Sequence, residues 1–237
     1  MLLLAEDLLL LLTDDTSGRL SVPRVEVNVL LVGANLVELT LMGKVDLSRE
    51  MPRGRFRFIE LGDPKWGRII VRDPSPTGDE VLNATLECAI AHQGRLPPAV
   101  ISRLSEYLHL WLYNRLARRG MVRYQPRKFL GGVVVVDRWP VQESPYGVEV
   151  RRRVTQALVG SMPPDTRSAA LIALMHTIRC ETKILGKSLS AASSLRIFAR
   201  GDQIVSSGWA PVPVRWSIDA MLAATSPEAV RTRGDGA

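Results

Sequence analysis

Two cysteine–histidine pairs are the residues in this sequence best suited to chemistry. Cys88 and His92 stand four positions apart, as do His176 and Cys180. Residues at that spacing share one face of a helix, so each pair would set a thiol beside an imidazole. Together they would supply the two cysteines and two histidines that zinc accepts. Structural zinc sites usually include a tight knuckle such as CxxC, which is missing here. The competing reading makes both cysteines small buried residues, their common role. No metal is therefore expected. The third histidine, His109, lies in an apolar stretch, where a lone imidazole is more often a core or rim residue than a base. The chain has no GxSxG elbow, HExxH, P-loop or GxGxxG after a strand. No catalytic residue and no cofactor are expected, so the chain reads as a non-enzyme.

Basic clusters are the other chemical feature. Arg115, Arg118, Arg119 and Arg123 run off the end of one predicted helix. Arg127 and Lys128 follow, and Arg151, Arg152 and Arg153 fall at the start of another. Any single one of these reads as part of a solvated face, and the Arg115 group also complements a helix C-terminus. Taken together, beside the apolar pair Phe129 and Leu130, they suit an anionic bilayer surface.

The elements that must carry these residues are mostly helical. Leu3 to Leu12 reads as a helix, followed by a turn at Thr13 to Gly18. Val25 to Leu41 reads as a buried helix ending near Gly43. Val45 to Leu47, Phe56 to Leu61 and Arg68 to Arg72 are extended candidates. Helices follow at Glu80 to His92 and, opened by Pro97-Pro98 and closed by Gly120, at Ala99 to Arg119. Met121–Tyr124 and Val133–Val136, separated by Gly131 and Gly132, read as a β-hairpin. Further helices are expected at Pro145–Val159, Thr166–Leu185, Ser188–Arg200 and Val212–Ala224. The fold class is mainly α: a single helical domain over residues 1–225 with a protruding β-hairpin and a few short strands, then a disordered tail over 226–237.

Composition agrees with that class. The 237 residues are 46% hydrophobic and only 5% aromatic, which favours helices packed on helices. The net charge of +7 favours polyanionic partners. Stacking aromatics and groove-binding motifs are missing, so nucleic acid is not the expected partner. Two cysteines make no disulfide framework, and a reducing, cytoplasmic setting fits. The opening MLLLAEDLLLLL has no basic flank and is broken by Glu6 and Asp7, so it reads as a helix rather than a signal peptide. No run approaches the roughly 20 apolar residues of a membrane span, so any membrane contact is expected to be peripheral.

Six segments, in order along nearly the whole chain, resemble the Golgi phosphoprotein 3 family and its actinobacterial homologues. They are LLLAEDLLLLLTDDTSGRL, GANLVELTLMGKV, SPTGDEVL, NRLARRGMV, DRWPVQES and RSAALIALMHTIRC. The resemblance implies a mainly helical fold, no enzymatic activity and a hairpin that serves in homo-oligomerisation. It further implies binding of a phosphoinositide headgroup on a membrane, together with protein partners. The family's headgroup positions fall at Pro23, Val32, Glu106 and His109, where none of the family's residue types is kept. No binding residue is carried over. Arg24, Arg103, Trp111 and Arg115 lie nearby and are the headgroup candidates, on charge and proximity alone. Arg127, Lys128, Phe129 and Leu130 are the hairpin candidates for membrane contact or self-association. The expected function is non-enzymatic, peripheral binding of anionic phospholipid headgroups, with an adaptor role beside it. The alternative is a cytosolic interaction scaffold of the same fold without specific lipid binding.

Overall fold

A computed structural model describes residues 2–47, 68–95, 97–104, 106–129, 134–160, 163–185 and 190–207. The elements are α1 (Leu4–Leu11), α2 (Arg24–Leu41), β1 (Val45–Leu47), β2 (Ile69–Val71), α3 (Glu80–Ala91), α4 (Pro98–Leu104), α5 (Leu108–Arg118), β3 (Arg127–Phe129), β4 (Val134–Val136), α6 (Pro145–Val159), α7 (Thr166–His176) and α8 (Ala191–Ser206). A short 3-10 turn at Glu181–Ile184 links α7 to α8. The mainly α class holds. The expected strand at Phe56–Leu61, the helix at Val212–Ala224, Leu130, Gly131, Gly132 and the tail lie outside the described residues.

Helix α1 is the centre of the core. All of its residues are buried, because α2, α5, α6 and α7 pack around it. A helix that is apolar all round belongs in such a position. Its two acids are buried with it and are neutralised from opposite sides. Glu6 meets Arg115 Nε at 3.2 Å and Arg119 Nη1 at 3.1 Å, both from the α5 end. Asp7 meets Arg167 Nε on α7 at 3.0 Å and accepts from the Tyr146 hydroxyl on α6 at 2.9 Å. Burial pushes the Asp7 carboxyl up, and Arg167 pulls it back down. Arg167 also reaches Glu38 on α2 at 3.0 Å. Glu6 and Glu38 accept from the free backbone amides of Leu3 and Leu4. The acids that interrupt the apolar run thus cap and anchor the central helix.

Four boundaries differ from the sequence reading, and the simplest is the helix expected at Ser188–Arg200, which runs as α8 over Ala191–Ser206. The expected helix Ala99–Arg119 is two helices, because α4 packs on α2 and α3 while α5 turns towards α1 and α2. The expected helix Thr166–Leu185 stops at His176. The Cys180 amide donates back to the Met175 carbonyl, and Arg179 takes the left-handed conformation, φ 52°, that usually marks a glycine stop. In the hairpin, β3 lies at Arg127–Phe129 and not at Met121–Tyr124. Val122 instead bridges Val141, and the Arg123 and Gln125 amides donate to the Pro140 and Arg138 carbonyls. One antiparallel register therefore runs from Val122 opposite Val141 to Phe129 opposite Val134. Pro126, which has no amide to donate, interrupts it. A second two-stranded sheet pairs β1 with β2, with Asp46 opposite Ile70.

Candidate functional site

The turn between α1 and α2 approaches the segment after β4 more closely than side chains normally permit. Gly18 sits at φ 62°, and a Cβ there would stand 2.3 Å from the Pro140 nitrogen. Only glycine meets both conditions. The contact is tied by the Trp139 amide donating to the Gly18 carbonyl at 3.1 Å and the Val141 amide to Asp15 at 3.1 Å. Trp139 is buried and stacks on Tyr113 of α5, with centroids 5.0 Å apart and planes 3° apart. Tyr124 packs tilted against the same ring at 4.7 Å. The Tyr113 hydroxyl lies 2.8 Å from that of Thr13. Burial pushes the Tyr113 phenol up to about 12, so it stays a neutral hydrogen-bonding group.

These contacts form one wall of a cavity of about 570 Å³. Arg19 enters it from the turn, Arg24 from the first turn of α2, and Arg138 from the segment after β4. Among the described residues, no carboxylate forms an ion pair with any of these three guanidinium groups, although Asp137 lines the same cavity, an arrangement suited to a bound anion. His109 of α5 lines the same space and is 6% exposed, and its Nδ1 has no hydrogen-bond partner among the described residues. Burial first, and then the charge of Arg24, lower the His109 pKa, while Asp137 opposes them. Asp137 also lines the cavity and accepts from the Tyr124 hydroxyl at 2.8 Å. Val135 in the wall is 52% exposed, and Val25, next to Arg24, is 69% exposed.

Of the four headgroup candidates from the sequence, Arg24 alone lines this cavity. Arg115 is buried and forks onto Asp79 with bonds of 2.8 and 2.7 Å, besides meeting Glu6. Asp79 at the same time caps α3 through the Val81 and Leu82 amides. Burial resists the charge on Asp79, but Arg115 and these amides hold its carboxyl below the usual range. Trp111 stands beside Arg115's end of α3 and donates to Glu80 at 3.3 Å. Arg103 is exposed on α4, where its charge reaches Cys88. Of the hairpin candidates, Arg127 is exposed on β3, and Lys128 and Phe129 belong to that strand. Arg151 meets Asp15 at 3.0 Å, and Arg152 meets Glu149 at 2.7 Å. Cluster counting passes over Arg19 and Arg138 because each stands alone in the sequence. The only signals were their neighbours, Gly18 and Trp139.

The two cysteine–histidine pairs are placed on separate tasks. Cys88 Sγ is 3.7 Å from His92 Nδ1, which also lies 2.8 Å from the Cys88 carbonyl oxygen. Cys180 is buried, donates weakly to the Met175 carbonyl, and has its thiol pushed up by burial. His176 is held between Glu181 at Nδ1 and Asp202 at Nε2. Among the described residues, no three His, Cys, Asp or Glu residues are grouped to hold a metal ion.

Among the described residues, no helix is long and apolar enough to cross a membrane. No curated protein matches the chain. The sequence profile of Golgi phosphoprotein 3 (GPP34) matches residues 4–221, and the chain belongs to that family.

Proposed function

We propose that this protein is a non-enzymatic, peripheral membrane protein of the cytoplasm that holds an anionic phospholipid headgroup in the Arg19–Arg24–Arg138 cavity. One observation carries the reading. In the core, Arg115 and Arg167 are matched to carboxylates, whereas the exposed Arg19 and Arg24 and the half-buried Arg138 share a cavity and have no such partner among the described residues. Paired guanidinium groups are spent on the fold, and unpaired ones that face a common space favour an incoming anion. Val25 and Val135 supply apolar contact beside the charge, as a bilayer surface requires. Each basic group close to an anionic surface contributes on the order of 1 kcal/mol, so three give useful but reversible attachment. The headgroup class we favour is phosphoinositide-like. The hairpin, with Arg127 exposed, is the proposed element of self-association.

Co-sedimentation with vesicles of neutral, phosphatidylglycerol-containing and phosphoinositide-containing composition tests the reading. Enrichment on both anionic compositions, lost at high salt and weakened by Arg24→Gln and Arg138→Gln, is the expected result. Equal pelleting with neutral and anionic vesicles at low salt contradicts it.

A second reading, an interaction scaffold of the same fold, draws on a different observation. A groove of about 650 Å³ runs between the α1 C-terminus and α6, with Val148 in its wall 55% exposed. A partner protein recovered by pull-down, lost on Val148→Asp and accompanied by no lipid response, would favour it.

A further inference from the structure

The cavity contains one group that its arginines do not explain. His109 is almost wholly buried, yet its Nδ1 has no partner among the described residues, and a buried polar nitrogen without one is costly. Arginines carry their charge at every physiological pH, but an imidazole can change its own within that range. The charged groups facing it come from three elements. Arg24 belongs to α2, Arg19 to the turn before it, and Asp137 and Arg138 to the segment after β4. Burial and Arg24 outweigh Asp137 at the ring, and Arg19 and Arg138 add positive charge to the same lining, so the empty cavity disfavours an imidazolium. An anion seated among the arginines reverses that balance. It offsets the cations that oppose protonation.

We propose that His109 couples anion binding in this cavity to the uptake of one proton, so that the protein holds an anionic oxygen ligand more tightly as pH falls. The inference rests on the cavity being the anion site. The balance is simple: the imidazole gains a proton from solvent and becomes a cation beside the bound anion. The sign follows from linkage. With the cavity empty, burial and Arg24 hold His109 below its ordinary value, so it is neutral at pH 7. With an anion bound, its pKa rises. Affinity therefore grows as pH falls from the bound value towards the free value, and levels off below the free value. One proton limits the slope to about tenfold per pH unit.

The test uses vesicles of phosphatidylglycerol in phosphatidylcholine, whose phosphodiester keeps its charge throughout the range. Partitioning of the full chain is measured from about pH 8 to about pH 5.5, spanning the ordinary imidazole range. Wild type should bind at least about fivefold more tightly at the acid end, within the limit that one proton allows. His109→Asn, which keeps a hydrogen-bonding side chain without titrating, should show a nearly flat profile and remain folded by circular dichroism. A matching slope in His109→Asn, or a flat wild-type profile, overturns the coupling. The anion-site reading fails separately, if Arg24→Gln and Arg138→Gln bind as wild type does. A second readout avoids any change of sequence. The three histidines are few enough to be followed individually by imidazole NMR. Sulfate alone, or phosphatidylglycerol in bicelles, should raise the His109 pKa. A response to sulfate assigns the site to a soluble oxyanion as well as to a headgroup, and a response to bicelles alone assigns it to the headgroup. No rise with either one overturns the proposal.

Discussion

Arg167 and Arg138 are the same residue type used in opposite ways. Arg167 sits at the top of α7 with its side chain 14% exposed and spans Asp7, Glu38 and the Leu2 carbonyl. Its charge is consumed in joining α7 to α1 and α2. Arg138 leaves the hairpin beside the stacked Trp139 and opens into a cavity with Arg19 and Arg24. The comparison teaches that the number of arginines in a segment says little about what they do. What matters is whether the fold brings carboxylates to them. Acids placed early in the chain, at Glu6 and Asp7, determine the fate of arginines more than a hundred residues away.

The comparison breaks most sharply at Arg167. Replacing it with methionine strands the buried Asp7, and loss of one partner from a buried pair costs about 3–5 kcal/mol. Urea unfolding should register that loss. The same substitution at Arg138 should shift stability by no more than about 0.5 kcal/mol. Gly18→Ala comes next, since it combines a left-handed backbone with a clash against Pro140. It should cost about 1–3 kcal/mol and open the cavity wall, seen as increased exposure of Trp139 to fluorescence quenching. Ser144 caps α6 through the Gly147 amide, and Ser144→Ala should cost about 1 kcal/mol without touching vesicle binding.

The smallest expected effect concerns pH. Hydrogen bonding to Glu181 first, and further interactions including that with Asp202, raise the His176 pKa against its burial. A raised folded-state value stabilises the protein fully below the unfolded imidazole pKa, about 6.5, and that contribution disappears as pH rises through the folded value. Unfolding free energy should therefore decline from about pH 6 towards alkaline pH, and His176→Gln should remove most of that slope. A slope unchanged in the variant would count against a charged clamp between α7 and α8.

Much of the frame was legible beforehand. Helix α6 runs from Pro145 to Val159 as read, because Ser144-Pro145 opens it and Gly160 closes it, both local signals. Helix α2 and the strand candidates at Val45 and Ile69 also follow from local pattern. The break between α4 and α5 was not legible, since no glycine or proline marks it and it arises from packing on different neighbours. Arg179 hides the end of α7 because it occupies a position where glycine would be expected. The site was less legible than the fold. Arg24, singled out on charge and proximity, lines the cavity. Arg115 resembled it in sequence but is tied to Asp79 and Glu6, and His109 read as a core or rim residue. A search for charge clusters cannot see ion pairs that close over such distances.

The central claim is that the cavity arginines, which have no carboxylate partner among the described residues, hold the anionic surface, and that total positive charge does not. The direct measurement is vesicle partitioning of the Arg24→Gln/Arg138→Gln double variant against an Arg152→Gln/Arg153→Gln double variant of equal net charge. At on the order of 1 kcal/mol per group, the cavity variant should lose about 20-fold or more in affinity for phosphatidylglycerol vesicles, while the control loses no more than about threefold. Equal losses in the two variants would contradict the account.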